Sequence, residues 1–216
     1  MTKNEKYIPA LRFGWLTPLY DPILRWLMRE EQFKQQLVRQ AQIQARQNVL
    51  DLGCGTATLT ILVKQTHPEA EVTGLDGDAR VLAIGRSKAA KAGAVIILDQ
   101  GMSFQLPYPD ESFDRVLSSL LFHHLTKDNK QRTLDEVYRV LRTGGEFHLA
   151  DLSRPRNLWA RIVSLLMARM EEASDNHKGL LPGMMRQAGF KLVEDDVHFS
   201  TLFGTLSIYR GQKPGI

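Results

Sequence analysis

The run VLDLGCGTATLT over residues 49–60 constrains this chain more than any other stretch. Its opening residues are short, apolar and closed by Asp51, as in a buried strand. Gly53 and Gly55 then form a Gly-x-Gly turn, and a helical stretch opens near Thr56. Glycines in such a turn reach backbone conformations closed to other residues and let a ligand approach the main chain. A strand, a glycine turn and a helix in that order begin a right-handed crossover unit, so strands and helices should alternate after it.

The rest of the chain alternates in this way. Short apolar runs at 49–52, 72–75, 94–98, 113–118 and 147–150 read as buried strands, being brief, rich in β-branched or aromatic residues, and bounded by Gly, Pro or Asp. The clearest helix between them carries Leu134, Val137, Tyr138 and Leu141 at i, i+3, i+4 and i+7, with its end expected at Arg142 and Gly144. Runs 190–197 and 201–209 lie too close together for a crossover helix, so they should form an antiparallel hairpin at the sheet edge. With 216 residues and 43% hydrophobic content, the chain can bury one sizeable core but is short for two. The expectation is an α/β fold with a seven-stranded, mostly parallel sheet, a C-terminal antiparallel hairpin and helices on both faces. Residues 48–216 would form that domain, and 1–47 a helical cap segment before it.

Charge and cysteine usage narrow the function. Residues 1–47 hold eight Lys/Arg against four Asp/Glu, while the rest balances at twenty each, so the excess of +4 lies in the N-terminal segment. That segment also carries Phe13, Trp15, Tyr20, Trp26 and Phe33. A helix packed on the domain with a solvated polar face is the commoner explanation, with peripheral membrane contact the alternative; no nucleic-acid partner is expected. No stretch approaches the apolar length of a membrane span, and the N-terminus has no apolar signal region, so a cytoplasmic protein is expected. Cys54 is the single cysteine and no cluster has zinc-site spacing, so no metal is expected. The oligomeric state is not written in the sequence.

The turn also speaks about its ligand. The third glycine of a dinucleotide-binding G-x-G-x-x-G is replaced by Thr58, and a carboxylate at Asp51 would repel a pyrophosphate but suits a cationic ligand. Twenty-one residues beyond Gly55, Asp76 closes the second predicted strand. Its two oxygens can accept from both hydroxyls of a ribose.

VLDLGCGT, the acid at Asp76, LPYPDESFDRV and LRTGGEFHLAD resemble successive motifs of class I S-adenosylmethionine-dependent methyltransferases, over about residues 48–151. The likeness is greatest to the small-molecule group that includes quinone-biosynthesis methyltransferases. It implies that Asp51, Gly53, Gly55 and Thr58 line the methionine half of the cofactor, that Asp76 binds its ribose, and that Gly77 and Ala79 lie beside the adenosine. Where such enzymes often read Gly-Asp-Ala, this chain reads Gly101-Met102-Ser103, so Met102 would cover the adenine and Ser103 or a backbone carbonyl supply polarity. Ser119 and Leu120, after the fourth strand, would border the transferable methyl. The cofactor implied is S-adenosylmethionine, with S-adenosylhomocysteine as product.

Methyl transfer from a sulfonium asks the protein to align the acceptor, exclude water and, for a protonated acceptor, remove a proton. His123 is the preferred base, although adjacent His123 and His124 are more often structural. Asp151 should point into the same crevice or cap the following turn; Arg154 and Arg156 would meet an anionic substrate or only solvent. Trp159, Ile162, Val163, Leu166 and Met170 form an apolar helical stripe. The acceptor class expected is a hydrophobic or amphiphilic small molecule, quinone- or lipid-like. Alternatives are an RNA or protein methyltransferase and a catalytically silent cofactor-binding regulatory protein. A nicotinamide oxidoreductase founders on Asp51 and Thr58.

Overall fold

Strand β1 (Asn48–Leu52) is buried on both faces from Val49 onward, as expected of the middle of a parallel sheet covered on two sides. The structure, a computed structural model, describes residues 30–155, 176, 179–193, 197–201 and 204–215. From α1 (Glu30–Ala41) the chain runs through β1, α2 (Thr58–Thr66), β2 (Glu71–Asp76), α3 (Ala79–Ala92), β3 (Ile97–Gln100) and β4 (Phe113–Ser119). A 3₁₀ turn (Phe122–His124), α4 (Lys127–Val140), β5 (Leu141–Leu152), α5 (Leu181–Gln187), β6 (Lys191–Val193), β7 (His198–Thr201) and β8 (Gly204–Gln212) complete it.

The sheet order is β3-β2-β1-β4-β5-β8-β6, with β7 also paired to β8. Strands β1 to β5 are parallel, and β8 runs antiparallel to β5, β6 and β7. One edge of β8 is bonded to β5, so β6 and β7 share the other, and eight strands occupy seven positions. The α/β architecture with an antiparallel C-terminal end is therefore as the sequence indicates. On one face α4 and α5 pack Leu134, Val137, Leu181 and Met185 against Leu50, Val116, Phe147 and Leu149. On the other, α1 and α2 pack Phe33, Leu37, Leu59 and Val63 against Val49, Leu117, Ala150 and Ile208. Full burial of Phe33 and Leu37 contributes about 1.5–3 kcal/mol each, enough to dock α1 against β4 and β5.

Three boundaries differ from the sequence reading. Helix α4 stops at Val140, not at Arg142 or Gly144: Leu141 already has extended backbone (φ −72°, ψ 137°) and pairs with Phe113 as the first residue of β5. Its apolar side chain is buried either way, so the helical period continued by coincidence. Strand β3 begins at Ile97, three residues later than expected, because Val95 (82% exposed) lies outside the sheet and faces solvent despite its apolar character. Strand β5 extends well past the apolar core at 147–150, through a buried ionic group in which Glu146 meets His148, Arg115 and Arg210. Phe13, Trp15, Tyr20, Trp26, Arg156 and the stripe from Trp159 to Met170 lie outside the described residues. Phe33 is core, edge-on to Phe199 at 6.5 Å.

Candidate active site

The strand order reverses between β1 and β4, and in open α/β sheets a crevice opens at that point beyond the carboxyl ends of the strands. Here the turn after β1 is tied to β2. Gly53 and Cys54 both donate to the Leu75 carbonyl, at 2.8 and 3.0 Å. Gly55 N–H donates to Asp76 Oδ2 and Asp78 N–H to Asp76 Oδ1, each at 2.9 Å. Asp76 thus organises the loop with one lone pair on each oxygen, and further lone pairs remain for hydroxyl donors.

The two glycines serve different purposes. A Cβ on Gly53 (φ +72°) would sit 2.9 Å from the Leu121 side chain, whereas one on Gly55 (φ +53°) would meet nothing within 4 Å. Glycine at 53 is demanded by packing. At 55 the backbone borders open space, a cavity of about 260 Å³ floored by Leu120 and Leu121, with Asp76 and Gly77 on one side and Met102, Ser103 and Phe104 on another. Leu120 adopts a left-handed backbone (φ +58°), held by its N–H on the Ala150 carbonyl at 2.9 Å. Such a conformation costs a side-chain-bearing residue roughly 1–2 kcal/mol.

Asp51 is buried beneath this turn. Thr60 Oγ1 donates to its Oδ2 at 2.6 Å, but Oδ1 has no hydrogen-bond partner among the described residues. Burial pushes its carboxyl up to about 6, only partly offset by the Thr60 hydroxyl and the Lys34 ammonium. A buried acceptor left open next to a glycine turn fits a cationic ligand. The residues present therefore fit S-adenosylmethionine, which carries an ammonium, a sulfonium and a ribose.

Of the residues singled out from sequence, the cavity gathers Gly53, Gly55, Asp76, Gly77, Met102, Ser103 and Leu120. Asp51, Thr58, Ala79, Ser119 and His123 do not line it. Asp51 lies below the turn; Thr58 faces outward and accepts from Lys88 Nζ at 2.6 Å. Ala79 is exposed at the start of α3, and Ser119 pairs with Ala150 inside the sheet. Ser103 is buried and shares a hydrogen bond of 3.0 Å with Thr133. Phe104, Leu121, His124 and Asn129 line the cavity too and carry no motif of their own. His123 is turned toward Asp151, with Nδ1 2.9 Å from Oδ1, and its ring lies 4.0 Å from that of His124. Cys54 is buried and its thiol is pushed up by burial and by Asp51, so it is a compact spacer. Among the described residues, no group of His, Cys, Asp and Glu is placed to hold a metal, and no helix is long and apolar enough to cross a membrane.

A doubly wound sheet whose first turn is glycine-rich and whose second strand ends in an acid defines a nucleoside-cofactor-binding class. Residues 49–145 match the methyltransferase domain family. The chain is 29% identical to the demethylmenaquinone methyltransferase of Symbiobacterium thermophilum, over 98% of this chain and 94% of that one. It is 33% identical to a Synechocystis protein named as an uncharacterized methyltransferase, sll0829, over 78% of each. The crystal structure of the [4+2]-cyclase SpnF superposes with a TM-score of 0.68 at 17% identity, covering 85% of this chain and 80% of that one. The chain belongs to the class I S-adenosylmethionine-dependent methyltransferase family.

Proposed function

We propose that this protein transfers a methyl group from S-adenosylmethionine to a small hydrophobic or amphiphilic acceptor of the quinone type. The observation that carries this reading is the similarity to demethylmenaquinone methyltransferase along nearly the whole of both chains. The cavity supports it. Leu120, Leu121 and Phe104 give the cavity an apolar wall of the kind that desolvates a flat apolar acceptor, beside the polar side chains of Asp76, Ser103, His124, Thr126 and Asn129.

In this reading Gly53 and Gly55 bring the backbone against the methionine half of the cofactor, Asp51 neutralises its cationic end from below, Asp76 takes the ribose hydroxyls and Met102 covers the adenine. The bound cofactor supplies an activated methyl and its own leaving group. The chain's part is to hold that methyl in line with the acceptor and to exclude water. Thr58 and Ala79 act through the helices they begin, and Ser119 through β4. Residues 1–47 form the proposed cap: α1 seals one face of the sheet, and the basic aromatic stretch before it contacts the membrane surface from which such an acceptor would come.

The test is to incubate the full chain with methyl-labelled S-adenosylmethionine and a dithionite-reduced prenylated naphthohydroquinone, and to weigh the product. A single added methyl is expected. Label found instead in RNA or protein of a total extract would overturn the small-molecule acceptor.

A further inference from the structure

The carboxyl ends of β4 and β5 hold a side-chain cluster that cofactor binding does not account for. Asp151 ends its buried course at the sheet rim, and its carboxylate collects four donors. Phe122 N–H reaches Oδ2 at 2.7 Å; His123 Nδ1 at 2.9 Å, Leu152 N–H at 2.7 Å and Asn176 Nδ2 at 2.9 Å reach Oδ1. Burial alone would raise the carboxyl, but the His123 ring and the two N–H groups outweigh it and hold the acid below the usual carboxylate range. Three N–H donors besides the His123 ring, from Phe122, Leu152 and Asn176, favour the charged form whatever the state of that ring, so Asp151 is ionised.

An ionised carboxylate only accepts, so Nδ1 of His123 carries the hydrogen of their shared bond. The neutral ring then keeps its lone pair on Nε2. The ring cannot swing freely, since Asp151 grips one edge, the His124 ring lies against it, and the 3₁₀ turn beneath closes through Leu125 N–H on the Phe122 carbonyl. Its side chain is nevertheless 17% exposed while that of Asp151 is 0%, so the histidine has an accessible edge and its partner has none. His123 lies just outside the cavity's lining, two residues beyond Leu121 and next to His124, which both belong to it, with its ring 4.0 Å from that of His124.

We infer that His123 is the general base of the methyl transfer, that Asp151 is a positioning residue fixing its tautomer, and that the acceptor is a hydroquinone- or phenol-like molecule whose hydroxyl must give up a proton. This rests on the methyl-transfer reading above. The step balances without an oxidant or reductant. The hydroxyl proton passes to Nε2, an electron pair on the acceptor's oxygen or ring carbon forms the bond to the methyl carbon, and the methyl–sulfur bond breaks with its pair staying on sulfur. Where carbon is methylated, loss of its ring hydrogen restores aromaticity and a proton returns to oxygen.

Two measurements on the full chain test this. Ring-nitrogen NMR at pH 8, with the His123 signals assigned by their loss in His123→Gln, should show hydrogen on Nδ1, a preference that Asp151→Asn abolishes. Hydrogen on Nε2 would overturn the tautomer argument. With the reduced naphthohydroquinone, His123→Gln should lose roughly a hundredfold or more in kcat while KM and S-adenosylhomocysteine affinity stay within about twofold. A loss below about threefold overturns the base. Should Asp151→Asn fail to fold, the wild-type ring spectrum and His123→Gln decide alone. A wild-type protein that binds S-adenosylhomocysteine but methylates an alkyl amine and not the hydroquinone overturns the acceptor class. One that does not bind S-adenosylhomocysteine sinks the methyl-transfer reading itself.

Discussion

Replacing Asp51 by Asn should favour the fold increasingly as pH rises and weaken cofactor binding, and the two effects have separable sizes. An acid whose folded pKa lies above its unfolded value costs stability wherever it is ionised. For Asp51 the cost is absent well below 3.8, grows between 3.8 and about 6, and is complete above that. At roughly 1.4 kcal/mol per pH unit, the gap corresponds to about 3 kcal/mol at pH 8. Asn keeps the acceptor that Thr60 uses, but sets an amide nitrogen where Oδ1 has no partner, a penalty of about 1–3 kcal/mol at every pH. The penalty cancels when the variant's effect at pH 8 is compared with that at pH 4.5, where wild-type Asp51 is already largely protonated in the fold. Urea unfolding at the two pH values should show the variant favoured by about 2 kcal/mol more at pH 8. Calorimetry should show S-adenosylhomocysteine bound tenfold or more weakly, about 1.4 kcal/mol, while 5′-methylthioadenosine, which lacks the amino-acid end, is bound as before. A pH-independent stability change would refute the buried-charge argument. Equal losses for both ligands would mean that Asp51 shapes the turn and does not meet the cationic end.

Other expectations are more direct. Asp76→Ala frees the N–H groups of Gly55 and Asp78 and removes the ribose acceptors, so S-adenosylhomocysteine binding should weaken by about 2–3 kcal/mol; unchanged calorimetric affinity would remove the assignment. Gly55→Ala has room for its Cβ and should fold, with a cost of about 1–2 kcal/mol for the left-handed backbone, yet lose cofactor affinity because the methyl occupies the cavity side; normal binding would contradict the placement. Glu146 is raised by burial but held down to about 2 by His148 and Arg210, so it supports the fold above 4.5 and progressively less as pH falls toward 2. Glu146→Gln should destabilise by about 3–5 kcal/mol at pH 7 and flatten the acid limb of a circular-dichroism titration; an unaltered limb would assign acid unfolding elsewhere. Removal of residues 1–29 should lower acceptor turnover more than S-adenosylhomocysteine affinity, and equal rates would make that segment merely structural.

The parts legible in the sequence are those where one physical demand sets the residues. Strands β1 and β4 each carry a short fully buried run, Val49–Leu52 and Val116–Ser118, and their boundaries fall within a residue or so of the expected ones. Strand β3 is an edge, half exposed, and the apolar residues before it marked the wrong start. The glycine turn was legible because a left-handed backbone at 53 and 55 restricts residue type. Thr58 was not, because a register position in a motif does not say which way a helix faces, and its hydroxyl points to Lys88. Phe104, Leu121 and His124 come from separate loops that only the strand order brings together, so no local pattern could announce them. The same is true of His123 and Asp151. Each was a candidate alone, but their 2.9 Å bond depends on the register of β4 beside β5.

That a [4+2]-cyclase shares this fold means the sheet supplies a place and not a reaction. The division follows the switch in strand order. The β1 and β2 side carries Asp51, the glycine turn and Asp76, the groups proposed above to hold the cofactor. The β4 and β5 side, with Leu120, His123 and Asp151, would on the reading proposed above face the methyl acceptor. Leu121 joins the two halves: it packs on Gly53 from the donor side and immediately precedes the 3₁₀ turn that carries His123. A methyl group added at Gly53 would push that leucine, and through it the turn, whereas one added at Gly55 would touch no protein atom and act only on the ligand. Two glycines of one motif are thus held by different forces, packing between the halves at 53 and a left-handed backbone beside open space at 55.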